Sequence, residues 1–242
     1  MVNTSTFIGI LVIAGIVGLI VLAVIGVIWA QRRKRSSRDE MAAQMAFQRL
    51  TDTADLLERV RSLYMSGRAN ALRIEYAYWR KLGEATFYWF SLIDDSGEDS
   101  TALGETMLLV ASPELSVPRL SIFAMPEIPG KMGGMVGSLL DMVINKAMSR
   151  GSLTRVDFPE DLKFSERFVV GSLNETAART FFDDRRRALL LGIPVLTVHI
   201  QAGRDMVWVQ PLNVNPGGQK VELPDRVRQN IELTQRVMVI FS

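Results

Sequence analysis

The chain has 242 residues, with 28 basic side chains against 26 acidic ones, no cysteine, and a single histidine, His199. Disulfide frameworks, thiol catalysis, cysteine-based zinc sites and iron–sulfur ligation are thereby excluded. The small basic excess gives no nucleic-acid footprint, and the length suits one well-buried domain plus an anchor.

Residues 7–30 pass without a single charge. As a helix such a run spans ~36 Å, enough for a hydrocarbon core ~30 Å thick. It is too long for a cleaved signal peptide, follows no basic stretch and ends in no small-x-small cleavage site. A single N-terminal transmembrane helix is therefore expected over 7–30, behind a short non-cytoplasmic tail, 1–6. Arg32, Arg33, Lys34, Arg35 and Arg38 follow it, while residues 1–6 carry no side-chain charge. That asymmetry predicts a bacterial inner-membrane protein with its N-terminus outside and its C-terminal domain in the cytoplasm. The same five basic side chains are expected to meet anionic lipid headgroups. Along the helix Ala14, Gly18, Gly26 and Ala30 share one ridge at four-residue spacing, with Gly15 beside it, a surface that lets a partner helix approach closely.

Residues 31–67 read as a basic juxtamembrane segment and an amphipathic helix from Asp39 to about Met65. Leu50, Ala54, Leu57, Val60 and Tyr64 recur there at three- and four-residue steps, and Ser66 and Gly67 end it. From 68 to 242 a cytoplasmic α+β domain is expected, its sheet mixed but mainly antiparallel. Residues 71–80 and 86–93 predict a hairpin around Gly83, followed by an acidic loop over 94–100. Strands are expected over 106–111 and 120–125, then helices over 137–148 and 174–191, the second capped by Asn174. Paired strands follow over 195–201 and 206–210 across a turn containing Gly203. Pro224 opens a C-terminal helix.

Three stretches carry a resemblance. They are Pro118-Arg119-Leu120-Ser121-Ile122-Phe123-Ala124-Met125-Pro126-Glu127, then Val156-Asp157-Phe158 with Phe164-Ser165-Glu166-Arg167-Phe168-Val169-Val170, then Asn174-Glu175-Thr176-Ala177-Ala178-Arg179 leading to Phe181. In these, over roughly 86–241, the chain resembles a family of uncharacterised bacterial membrane proteins that join N-terminal transmembrane helices to a small cytoplasmic α+β domain. The resemblance implies a fold and offers no catalytic residues.

Candidate chemistry is sparse. The run from Gly130 through Lys131, Gly133, Gly134 and Gly137 invites a phosphate-loop reading, but it fits neither GxxxxGK[ST] nor GxGxxG, and a flexible lead into the next helix explains it better. Met125, Met132, Met135, Met142 and Met148 read as core filling, or as an adaptable surface for lipid or protein. His199 lies in an alternating strand with Val195, Thr197 and Gln201 on its face and no carboxylate motif nearby, as expected of a surface or hydrogen-bonded polar residue. Asp94, Asp95, Glu98 and Asp99 lack calcium-loop spacing. Asp183, Asp184, Arg185, Arg186 and Arg187 form a charge block near a helix end, read as intrahelical pairing or a solvated face.

No catalytic, cofactor-binding or metal-binding set emerges, and no cofactor is expected. The expected role is a non-enzymatic accessory or scaffold subunit of a larger membrane complex, with a photosynthetic reaction centre and antenna or a respiratory complex as the setting. Its partners are then other integral membrane subunits, met through the transmembrane helix and the cytoplasmic domain, together with anionic lipids, and no nucleic acid. The alternative is a membrane-tethered sensor or regulatory domain that binds a ligand or signalling protein.

Overall fold

The computed structural model describes residues 35–64, 69–95, 101–125, 144–149, 151–193, 198–211 and 223–242, with 141, 142 and scattered positions between 22 and 33. Two compact units divide the chain, Met1–Phe47 and Gln48–Ser242.

In the first unit, helix α1 covers 35–44, and the described positions between 22 and 33 are helical too. Its end is an αL stop: Ala46 has φ 59°, Phe47 N–H donates to the Ala42 carbonyl at 2.8 Å and Ala46 N–H to that of Ala43 at 3.0 Å. These two bonds satisfy carbonyls that a helix end leaves open, the geometry usually given to glycine. The continuous amphipathic helix expected from Asp39 to Met65 is thus corrected. The chain turns at Ala46, forms the short strand β1, Gln48–Arg49, and starts a separate helix α2, Ala54–Leu63, with Asp52 accepting from the Ala54 N–H at 3.0 Å.

The expected membrane-spanning helix is also corrected. Among the described residues no helix is long and apolar enough to cross a membrane. Residues 7–21 lie outside the described ones, and the described helix beyond Trp29 carries Arg32, Arg33 and Arg35.

The second unit is built on one sheet. The strands are β1, then β2 (Leu72–Leu82), β3 (Ala85–Asp94), β4 (Thr101–Ala111), β5 (Val117–Ala124), β6 (Thr154–Val156), β7 (Phe168–Ser172), β8 (Val198–Arg204) and β9 (Met206–Pro211). Among the described residues these nine form one sheet in the order β1-β2-β3-β4-β9-β8-β5-β7-β6. Every ladder is antiparallel, which corrects the mixed sheet expected from sequence. The late hairpin β8–β9 inserts between β4 and β5, and each of its strands meets an antiparallel neighbour.

The expected hairpin at Gly83 is β2–β3, where glycine supplies φ 60°. Tyr78 faces Trp89 across it and stacks on its ring at 5.0 Å. In β8–β9 the turn falls at Arg204, with φ 57°, and Asp205, while Gly203 stays in the strand opposite Met206. The Asp205 carbonyl accepts from Ser112 N–H at 2.8 Å and so fixes the turn to the end of β4.

Helices cover both faces. One face receives α4 (Leu162–Arg167), α5 (Glu175–Phe181), α6 (Asp184–Leu191) and α7 (Leu223–Phe241), which bury Leu120, Ile122, Val170, Ile200, Val207 and Val209 among others. The opposite face receives α2 over Met107, Leu109 and Trp208, and the short helix α3, 144–149, over Phe123 and Val169. A Cβ at Gly171 would come within 2.6 Å of Met148 Sδ, which is how closely α3 lies on β7. Helix 174–191 of the sequence reading is two helices, because Asp183 accepts the Arg186 N–H at 2.8 Å and restarts the chain as α6. Asn174 caps α5 as expected, accepting from Ala177 N–H at 3.0 Å.

The helical face is closed by phenylalanines. Phe182, fully buried, meets the rings of Phe158 at 6.0 Å, Phe181 at 5.2 Å and Phe241 at 6.2 Å, all edge-on. Such pairs contribute ~0.5–1.5 kcal/mol each beyond the area they bury. Phe182→Ala is therefore expected to lower unfolding free energy by ~3–5 kcal/mol in denaturant titration, against less than ~0.5 kcal/mol for the exposed Leu82→Ser. A loss below ~1 kcal/mol at Phe182 would show that this cluster does not close the core.

Candidate functional site

Side chains along β5, β8 and β9 alternate between faces. Val198, Ile200, Ala202, Val207 and Val209 enter the helical core, so Ser121, His199, Gln201 and Trp208 point to the other face. Register sets them in rows: Ser121 opposite Gln201 opposite Trp208, and Phe123 opposite His199 opposite Gln210. Directly opposed residues have Cβ atoms ~4.5–5.5 Å apart. The row is buried, with Ser121 at 0 %, Gln201 at 2 % and His199 at 7 % exposure.

His199 is held on all sides. Its Nε2 lies 2.7 Å from Ser121 Oγ, and the Phe123 ring stacks on it at 4.1 Å and 8°. Burial pushes its pKa down to about 3; the charge of Arg119 adds to this, and a hydrogen bond with Gln210 works against it. The imidazole is therefore neutral. Its partner set of hydroxyl, amide and phenyl ring contains no carboxylate to orient a general base.

Arg119 joins this face where the β5–β8 register slips between Val117 and Leu120. Its stem crosses Gly203, where a Cβ would sit 3.3 Å from Arg119 Cδ and press the stem slightly aside. Nη2 donates to the Leu63 carbonyl at the end of α2. Burial pulls the guanidinium down to about 10, and among the described residues no carboxylate pairs with it. Among the described residues, three buried polar atoms on this face have no protein hydrogen-bond partner: Arg119 Nη1, Gln201 Oε1 and Trp208 Nε1.

The residues singled out from sequence fare differently. Ala14, Gly15, Gly18 and Lys34 lie outside the described residues. Gly26 and Ala30 are helical and exposed, and a Cβ at Gly26 would meet nothing within 4 Å. Arg32, Arg33 and Arg35 are exposed, Arg38 is half-buried, and Arg33 lies 5.7 Å from the Trp29 ring centroid. The glycine-rich run, Met132, Met135, Glu98 and Asp99 fall outside the described residues. Met148 is core, whereas Met142 is exposed. Asp94 accepts from Tyr64 Oη at 3.3 Å and Asp95 pairs with Arg73 at 2.6 Å, so both serve the strand ends. Arg187, expected on a solvated face, is buried at 6 % exposure between Asp161, Asp184 and the Phe182 carbonyl, where it ties α4 to α6. Among the described residues no acidic or histidine cluster suits a metal.

Sequence reasoning found His199 and its face-mate Gln201 but missed Arg119, Ser121, Trp208 and Gln210. The available signal was polar residues alternating with apolar ones along β8, which reads as a solvent face until a second layer of helices covers it.

A second surface lies between α6 and α7, an open groove of about 540 Å³ lined by Leu189, Ile193, Val239 and Ile240 with Glu232 and Arg236 at its rim. Val239 is 74 % exposed there.

No family model matches the chain, and no curated protein matches it. Among solved structures, the crystal structure of the mycobacterial trehalose monomycolate transport factor A, TtfA, is similar at 11 % identity and a TM-score of 0.44, over 85 % of this chain and 94 % of that one. With no apolar spanning helix among the described residues the single-pass expectation is corrected, and nothing in the geometry supports a photosynthetic setting or a scaffold role.

The histidine supplies a pH test. Because the folded pKa of about 3 lies below the ordinary 6.5, the unfolded chain binds the proton first, and stability falls as pH drops below about 6.5. The expected slope between pH 6 and pH 5 approaches ~1.4 kcal/mol per pH unit from this one residue. In His199→Gln that slope should flatten. Equal slopes in the two proteins would contradict a buried neutral imidazole.

Proposed function

We propose that the chain is a ligand-binding regulatory module without catalysis of its own, working at the cytoplasmic face of a bacterial membrane. The observation that carries this reading is the buried polar row, where Arg119 Nη1, Gln201 Oε1 and Trp208 Nε1 end without partners on one face of the sheet. Each unpaired buried group costs ~1–3 kcal/mol, so a molecule that completes them stabilises the fold as it binds. The Ser121–His199 pair speaks for binding over chemistry. Its hydroxyl is fully buried, its imidazole is neutral and no carboxylate orients the ring, so the pair lacks what an activated nucleophile needs.

The membrane half of the proposal draws on sequence, from the basic residues Arg32, Arg33, Lys34, Arg35 and Arg38, which suit contact with anionic headgroups. Arg33 against the Trp29 ring is the pairing of cation and aromatic that suits headgroup depth.

Thermal-shift screening of the full-length protein against small soluble metabolites tests the binding half. A true ligand at a hundredfold excess over its Kd adds ~2.7 kcal/mol of stability, and Arg119→Gln should abolish the gain. A screen in which no compound stabilises the wild type selectively over the variant would count against the reading. For the membrane half, cell fractionation is expected to place the full chain in the membrane pellet. Recovery in the soluble fraction would contradict it.

A further inference from the structure

We infer that the groove between α6 and α7 is the seat of a second copy of this chain, paired about a twofold axis that sets the two α7 helices antiparallel; the inference is independent of the ligand reading above. The α6 wall of the groove, Ala188, Leu189 and Gly192, is exposed and carries no charge. Leu189 and Val239, both large and exposed, stand on opposite walls of it. Both helices are fastened to the unit, so this face is already formed: Arg186 Nε donates to the Ile240 carbonyl at 3.1 Å and Asn230 Nδ2 to that of Thr106 at 3.0 Å. A rigid face loses little freedom when it docks.

The charges at the rim choose the occupant. Outward positions on α7 include Asp225, Arg228, Glu232, Arg236 and Val239, at three- and four-residue steps. Asp225 and Arg228 already pair with each other at 3.5 Å. Glu232 and Arg236 line the groove one turn apart, and among the described residues neither has an ion-pair partner. A parallel copy of α7 would set glutamate on glutamate and arginine on arginine. An antiparallel copy, turned about an axis level with Thr234, sets each Glu232 against the Arg236 of the other copy, and the same charges are matched twice. A surface complementary to itself in this way is what a twofold dimer requires. The same turn lays groove over groove, so Leu189 and Val239 of each copy meet apolar surface in place of water.

The chain has no cysteine, so a single introduced thiol reports contact between copies. In the full chain Gln235→Cys lies beside the proposed axis, while Arg228→Cys lies on the same face but ~18 Å from its own copy, too far for a disulfide. Mild oxidation should link Gln235→Cys into a dimer on non-reducing gels and leave Arg228→Cys monomeric. Added to Gln235→Cys, either Glu232→Arg or Arg236→Glu should cut the linked fraction by about tenfold, since each reversal sets like charges together twice. Co-expressed under different tags, the two reversed chains should link to each other as well as the parent links to itself, because one is then basic at both positions and the other acidic. That rescue also shows both variants to be folded. A Gln235→Cys chain that stays unlinked, whether a lipid, another protein or nothing takes the groove, would overturn the pairing. So would linkage that ignores both reversals, equal linkage at 228 and 235, or reversed chains that fail to link when combined.

Discussion

The sheet is one sheet because the β8–β9 hairpin lies between β4 and β5. Its outer edges pair with strands made about a hundred residues earlier for β9 with β4 and about eighty for β8 with β5. Remove the hairpin and the order breaks into β1 to β4 on one side and β5, β7 and β6 on the other. Contacts that distant in sequence demand loop closure before they reward it, so the hairpin completes the fold rather than starting it. Its seat is then fixed from both faces. Val207 and Val209 enter the core under α7, while Trp208 enters the core under α2.

A central strand covered on both faces normally reads as a continuous apolar run. Here β8 departs from that rule at every second position, with His199 and Gln201 between Val198, Ile200 and Ala202. Polar groups at such positions are tolerated when they are paired, and Ser121, Gln210 and the stacked Phe123 provide for His199. Arg119, Gln201 and Trp208 are provided for only in part. The same hairpin that joins the two halves of the sheet therefore carries two of these incompletely paired groups, Gln201 and Trp208. On the proposed reading stability and binding are coupled there, since a ligand that pairs these groups also braces the hairpin between β4 and β5.

Much of the second unit was legible in the sequence. The β2–β3 hairpin followed from β-branched and aromatic residues around Gly83, and the α5 cap followed from Asn174. Breaks without a glycine or proline were not legible. Ala46 adopts αL geometry that nothing in its residue type announces, and Phe182–Asp183 splits one helical pattern into two through a cap that also looks like an ordinary helical aspartate. The site was legible only at His199. Arg119, Ser121 and Trp208 come together through antiparallel register across β5, β8 and β9, and register between strands some eighty residues apart leaves no local pattern. Arg187 misled in the opposite sense, since a run of three arginines looks solvated and the last of them is buried in a carboxylate cage.

The most direct measurement is a crystal structure of the full-length protein grown with a compound that stabilises it in the thermal-shift screen. The account predicts density for that compound within hydrogen-bonding distance of Arg119 Nη1, Gln201 Oε1 or Trp208 Nε1. Protein groups already paired with all three atoms, or the compound bound away from this face, would contradict it.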